Sequence, residues 1–194
     1  VKINNLLIYD NVADPDNGGA IAIYGDCNVE IKRTSIYNNQ AGNINFGAIY
    51  ISGTVAQGDW SEVDIIRSTI ADNMGGIGNL FGTLNINSSI IWNNEGSNVS
   101  GDVNINYSII DGDWSGNGNL GGDPQFNTYG NNDYGLQLGS PAINSGDPSL
   151  AYDPDGTIAD MGAFYFHNGT LVSLSTNTPP STNLFATFSN NLLS

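Results

Sequence analysis

Five stretches of this chain can be written one beneath another: Val1-Lys-Ile-Asn-Asn-Leu-Leu-Ile-Tyr-Asp-Asn11, Val29-Glu-Ile-Lys-Arg-Thr-Ser-Ile-Tyr-Asn-Asn39, Val63-Asp-Ile-Ile-Arg-Ser-Thr-Ile-Ala-Asp-Asn73, Leu84-Asn-Ile-Asn-Ser-Ser-Ile-Ile-Trp-Asn-Asn94 and Val103-Asn-Ile-Asn-Tyr-Ser-Ile-Ile-Asp-Gly-Asp113. The columns decide the fold. Val1, Val29, Val63, Leu84 and Val103 share one position, and Ile3, Ile31, Ile65, Ile86 and Ile105 share another. Ile8, Ile36, Ile70, Ile91 and Ile110 form a third column. The V-x-I alternation has the period of a strand with one buried face, and its β-branched bias fits strands over helices. Self-similarity of this kind predicts an all-β solenoid, a parallel β-helix in which each repeat is one coil stacked on the last.

The third-column isoleucines, at 8, 36, 70, 91 and 110, are 28, 34, 21 and 19 residues apart. A β-helix tolerates such irregularity because extra residues leave the coil as surface loops. A second strand repeats early: Gly19-Ala-Ile-Ala-Ile-Tyr-Gly25 matches Gly47-Ala-Ile-Tyr-Ile-Ser-Gly53, with Gly76-Ile-Gly-Asn-Leu-Phe-Gly82 as a weaker copy. Five coils at ~4.8 Å each predict a stack on the order of 24 Å tall that tapers toward its C-terminal end. Thr34, Ser68, Ser89 and Ser108 make a hydroxyl column, begun by Leu6. Asn11, Asn39, Asn73 and Asn94 end the motif, with Asp113 as its last member. Asn tolerates the left-handed region, bonds its own backbone and stacks in ladders, so this column reads as a structural ladder at a corner.

The chain has 194 residues, enough for one domain or one domain and a tail. Its 25 glycines fit many tight turns. Only 4 Lys and Arg face 19 Asp and Glu, for a net charge of -15. Such a surface repels phosphate backbones and anionic membranes, which argues against nucleic-acid partners, and it favours cations such as Ca²⁺. Cys27 is the single cysteine, so no internal disulfide forms, and His167 is the single histidine. No apolar run is long enough to insert in a membrane as a helix. The chain opens inside a repeat without Met or a leader, which reads as a piece of a larger secreted protein. If Val1 is a true end, its coil edge needs a partner, and copies joined head to tail into a filament would supply one.

After Asp113 the repeat stops. Asp123-Pro-Gln-Phe126, Tyr134-Gly-Leu-Gln-Leu-Gly-Ser-Pro-Ala-Ile-Asn-Ser-Gly-Asp147 and Asp153-Pro-Asp-Gly-Thr-Ile-Ala-Asp-Met-Gly-Ala-Phe-Tyr-Phe166 follow. Residues 1–166, and 123–166 most specifically, resemble the C-terminal portion of secreted bacterial right-handed parallel β-helix proteins of the pectin-lyase-like superfold. The chain departs from that pattern at Asn144, where Asp is usual. The resemblance implies an extracellular or cell-surface location and an adhesin-like or structural role. From the residues, 1–126 are predicted as coils and 127–166 as a C-terminal cap. Leu136, Leu138, Pro141, Ala142 and Ile143 would cover the open core, and Phe164 and Phe166 would sit in a short last strand. Residues 167–194 form a linker or tail around Thr176-Asn-Thr-Pro-Pro-Ser-Thr182, with Leu184-Phe-Ala-Thr-Phe188 apolar enough to dock on a neighbour.

The superfold also hosts polysaccharide lyases and hydrolases, though a fold does not fix an activity. A lyase of that type needs a basic residue beside Ca²⁺, and the candidates are Lys2, Lys32, Arg33 and Arg67, with the last two aligned as exposed turn residues. A hydrolase needs two carboxylates ~5–9.5 Å apart. Asp10 and Asp72 share a column but are separated by Asn38, and Asp111 and Asp113 lie near the end of the repeat. No complete catalytic set emerges. Calcium is the expected ligand, if any, because Asp153, Asp155 and Asp160 fall within one loop, and Asp14, Asp16 and Asn17 make a shorter set. The aromatic column Tyr9, Tyr37 and Trp92, interrupted by Ala71, is a candidate platform for surface glycans. The function expected is therefore an extracellular structural or adhesive module. The alternative is a carbohydrate-active or glycan-binding protein.

Overall fold

The computed structural model describes residues 1–13, 18–43, 47–53, 60–112, 114–127 and 134–167. They form a parallel β-helix, and no helix occurs among them. The first tier holds β1 (Lys2–Asn4), β2 (Leu7–Tyr9) and β3 (Ile21–Tyr24). The second holds β4 (Asn28–Lys32), β5 (Ser35–Tyr37) and β6 (Ile49–Ser52). The third holds β7 (Ser61–Ile66), β8 (Thr69–Ala71) and β9 (Ile77–Asn79), and the fourth β10 (Gly82–Asn87), β11 (Ile90–Trp92) and β12 (Val99–Ser100). The fifth has two sides, β13 (Val103–Asn106) and β14 (Ile109–Ile110). Stacked, they make three parallel sheets: β1-β4-β7-β10-β13, β2-β5-β8-β11-β14 and β3-β6-β9-β12.

The register is the one the sequence columns predict in the first two sheets. Ile3 pairs with Ile31, Ile31 with Ile65, Ile65 with Ile86 and Ile86 with Ile105. Ile8, Ile36, Ile70, Ile91 and Ile110 pair in the same way. These columns meet Ile49, Ile51, Ile77 and Val99 of the third sheet in one core. Each such isoleucine contributes about 1.5–3 kcal/mol by leaving water.

In the third sheet Ile21 pairs with Ile49 and Ile23 with Ile51, as the first two copies align, and the register departs from the glycine alignment only at the third copy. Ile49 pairs with Ile77, so the third copy is shifted by one residue and Gly75, not Gly76, follows Gly47 in its column. The buried isoleucine sets the position. Gly76 is required for another reason: a Cβ there would overlap the Asn98 backbone of the next tier.

The two jobs expected of the C-terminal segment fall to different residues. Trp114 packs against the end of the main core, and Leu120 bridges Ile109 to extend the second sheet. Residues 134–166 lie instead along the flank, as a strap over the outer face of the second sheet. Leu136, Ala142 and Met161 cover Ile90 and Ile109, which point outward, while Leu138 is exposed. No strand forms at Phe164 and Phe166. The tail beyond His167 lies outside the described residues.

Candidate functional site

Two polar ladders run through the interior beside the isoleucine columns. In the first, the Asn11 amide donates to Asn39 Oδ1 at 2.9 Å, Asn39 to Asn73 at 3.0 Å, and Asn73 to Asn94 at 2.9 Å. The backbone N–H of each donor residue bonds to the same oxygen. Each of Asn39 and Asn73 also donates to the carbonyl two residues before it and to one in the preceding tier. Asn98, unforeseen in the sequence, ends the ladder by accepting both donors of Asn94. Asp113 lies outside the described residues. The left-handed corner belongs to the residue before each ladder asparagine, with φ of 55° at Asp10, 53° at Asn38, 55° at Asp72 and 52° at Asn93.

The hydroxyl column makes the second ladder. The N–H groups of Thr34, Ser68 and Ser89 donate to the hydroxyls of Ser68, Ser89 and Ser108, and Ser108 N–H donates to Asn119 Oδ1. Each hydroxyl in turn donates to the carbonyl two residues back. Asn119 terminates this ladder as Asn98 does the other.

On the outer face of the second sheet, Tyr9 stacks on Tyr37 with ring centroids 5.0 Å apart and planes 1° from parallel. The gap at Ala71 is filled by Tyr134 from the strap, 4.9 Å from Tyr37 and 5.2 Å from Phe126. Tyr134 donates to Asp72 Oδ2 at 2.7 Å, and Asn93 donates to Asp72 Oδ1. Burial, then this hydrogen bond to a carboxylate, pushes the Tyr134 phenol far above its ordinary value, and burial beside Tyr9 raises Tyr37. The candidate glycan column is therefore largely covered: Tyr37 is buried, Trp92 half-buried, and only Tyr9 is exposed.

Arg67 and Arg33 share a left-handed corner column, with φ of 49° and 48°. Arg67, expected at the surface, is buried: its Nη1 donates to the Ala151 carbonyl and its Nη2 pairs with the buried carboxylate of Asp153. Its Nε has no hydrogen-bond partner, and burial followed by the neighbouring Arg33 lowers its pKa. It pins the strap and presents no base to solvent. Lys2 pairs at 3.6 Å with Glu30 on the exposed first sheet, while Lys32 and Arg33 are half-exposed.

In the 153–160 loop the carboxylates of Asp153 and Asp160 are buried and bonded inward, while Asp155 is exposed. Asp153 Oδ2 accepts the Asp160 N–H, Asp160 accepts the N–H groups of Asn144 and Phe166, and Asp155 accepts the Thr157 N–H and hydroxyl. Burial raises Asp160, and the Thr157 bonds lower Asp155. Among the described residues no three of His, Cys, Asp and Glu are gathered where they could hold a metal ion. Asp14, Asp16 and Asn17 lie outside the described residues.

Asp10 and Asp72 keep their shared column with Asn38 between, and Asp72 is engaged by Tyr134 and Asn93. Asp111 is exposed. A hollow of about 310 Å³ at the corner holds Asp72, Asn93 and Glu95. A second, about 330 Å³, is lined by glycines, Ser97, Ser100, Ile77 and Leu80, with no titratable group. No protein-family model matches the chain, and neither the curated proteins nor the solved structures contain a match to it.

Proposed function

We propose that this chain is a rigid structural or adhesive β-helix module of an extracellular or cell-surface protein. The observation that carries the reading is the pair of ladders, Asn11 to Asn98 across the first four tiers and Thr34 to Asn119 from the second tier onward, whose inner members are buried and tie each tier to the next. Side chains that an enzyme could use are instead spent on structure, as Arg67 and Asp153 are in holding the strap. A glycan-binding role is the second reading, favoured by Tyr9, whose exposed ring is backed by Tyr37 and neighboured by the exposed Asp10.

A panel of polysaccharides and cell-surface glycans, assayed for binding and for cleavage with and without Ca²⁺, tests the choice. Binding lost in Tyr9→Ala without cleavage favours the glycan-binding reading, and neither binding nor cleavage across the panel supports the structural module. Cleavage of a polyuronate lost in Arg33→Ala overturns the proposal in favour of a lyase. Electron microscopy at high protein concentration, in Ca²⁺ and then in EDTA, reads end-to-end association of copies. Axial rows would add self-assembly to the role, and their loss in EDTA would bring calcium into the contact.

A further inference from the structure

We draw no further inference here: the strongest candidate, the apolar face of the first tier formed by Val1, Leu6, Leu7, Tyr9 and Val12 beside the outer edges of β1, β2 and β3, carries nothing because nothing in the structure shows what covers it.

Discussion

Replacing Asn73 by alanine tests the ladder directly. Its side chain is 1% exposed. It donates to Ile36 O, Ala71 O and Asn94 Oδ1 and accepts from the N–H and amide of Asn39. Alanine removes all five bonds. The neighbours are left unequal: the Asn39 amide keeps Ile8 O and Tyr37 O, and Asn94 Oδ1 keeps the Asn73 N–H, but the Asn39 N–H loses this acceptor inside the protein. The Asn73 amide has two hydrogens for its three acceptors, and two of its neighbours keep other partners, so about two net bonds at roughly 0.5–1.5 kcal/mol each and one stranded N–H at about 1–3 kcal/mol are lost, about 2–6 kcal/mol in all. With a urea slope of about 2 kcal/mol/M, the midpoint falls by roughly 1–3 M. Asn11→Ala is the control. Asn11 is exposed and donates two side-chain bonds, which water replaces, so its cost is about 1 kcal/mol or less. Asn73→Asp keeps the size but turns a carboxylate toward three acceptors, and at neutral pH it should be at least as damaging as alanine. Urea unfolding followed by circular dichroism, with hydrogen exchange at the Asn39 amide, reads all three variants. If Asn73→Ala unfolds within about 0.3 M of the parent protein, or no differently from Asn11→Ala, the ladder does not carry the stability assigned to it.

Arg67→Met should cost about 3–5 kcal/mol by leaving Asp153 charged and buried, and Arg67→Met with Asp153→Asn, which removes the charge but keeps an oxygen for the Asp160 N–H, should recover most of it; a double variant as unstable as the single one refutes the pinning role. The pH profile should fall on both sides. Burial raises Asp147 and bonds from Ser149 and Asn87 more than offset it, while Thr157 holds Asp155 down. Both therefore contribute stability above the ordinary carboxylate range that is lost as pH falls through their depressed values. Asp160 has the opposite sign: raised by burial, it favours the folded state when protonated, and that contribution is lost as pH rises through its elevated value. Asp160→Asn should flatten the slope just above the ordinary carboxylate range, and an unchanged urea midpoint profile would contradict the assignment. Because Asp153 and Asp160 are buried and bonded inward, which leaves the exposed Asp155 alone at the surface, Asp155→Asn should leave any calcium response of the unfolding midpoint unchanged; a calcium-induced rise that this variant abolishes would show that the loop re-forms around the ion.

The tiers were legible because the same residues recur at the same heights: a Val or Leu, an Ile two positions on and a second Ile five later specify two sheets and their register. In the third sheet the first two copies pair as aligned, and only the third was read one residue off, since glycines marked the alignment while Ile77 obeyed the core. The left-handed corners were placed on the wrong neighbour because Asn favours that region, yet here it serves better as the bonded ladder residue. Nothing near Arg67 in the sequence reveals its burial, because its partner Asp153 is 86 residues away. One signal of the strap was present. Ser35-Ile36 and Thr69-Ile70 become Ile90-Ile91 and Ile109-Ile110, so the outward position is apolar where Leu136, Ala142 and Met161 lie over it, while Thr69 meets the strap through a hydrogen bond from the Ala163 N–H. Asn98 and Asn119 were missed because they stand outside the repeat.

Those two residues show why the interior needs polar ladders at all. Isoleucine columns supply burial but specify position weakly: a strand slipped by two residues still turns isoleucine inward. The same slip would set a buried asparagine against a neighbour that offers no amide, leaving several polar groups unpaired at about 1–3 kcal/mol each. The ladders therefore penalise the wrong register more than the core rewards the right one. They are also directional, since each tier donates toward the next. The high-numbered end of each ladder must meet an acceptor, or a buried N–H is stranded. Asn98 and Asn119 supply that acceptor from local turns where no further tier does, and at the other end the exposed Asn11 is left with an oxygen that water can serve.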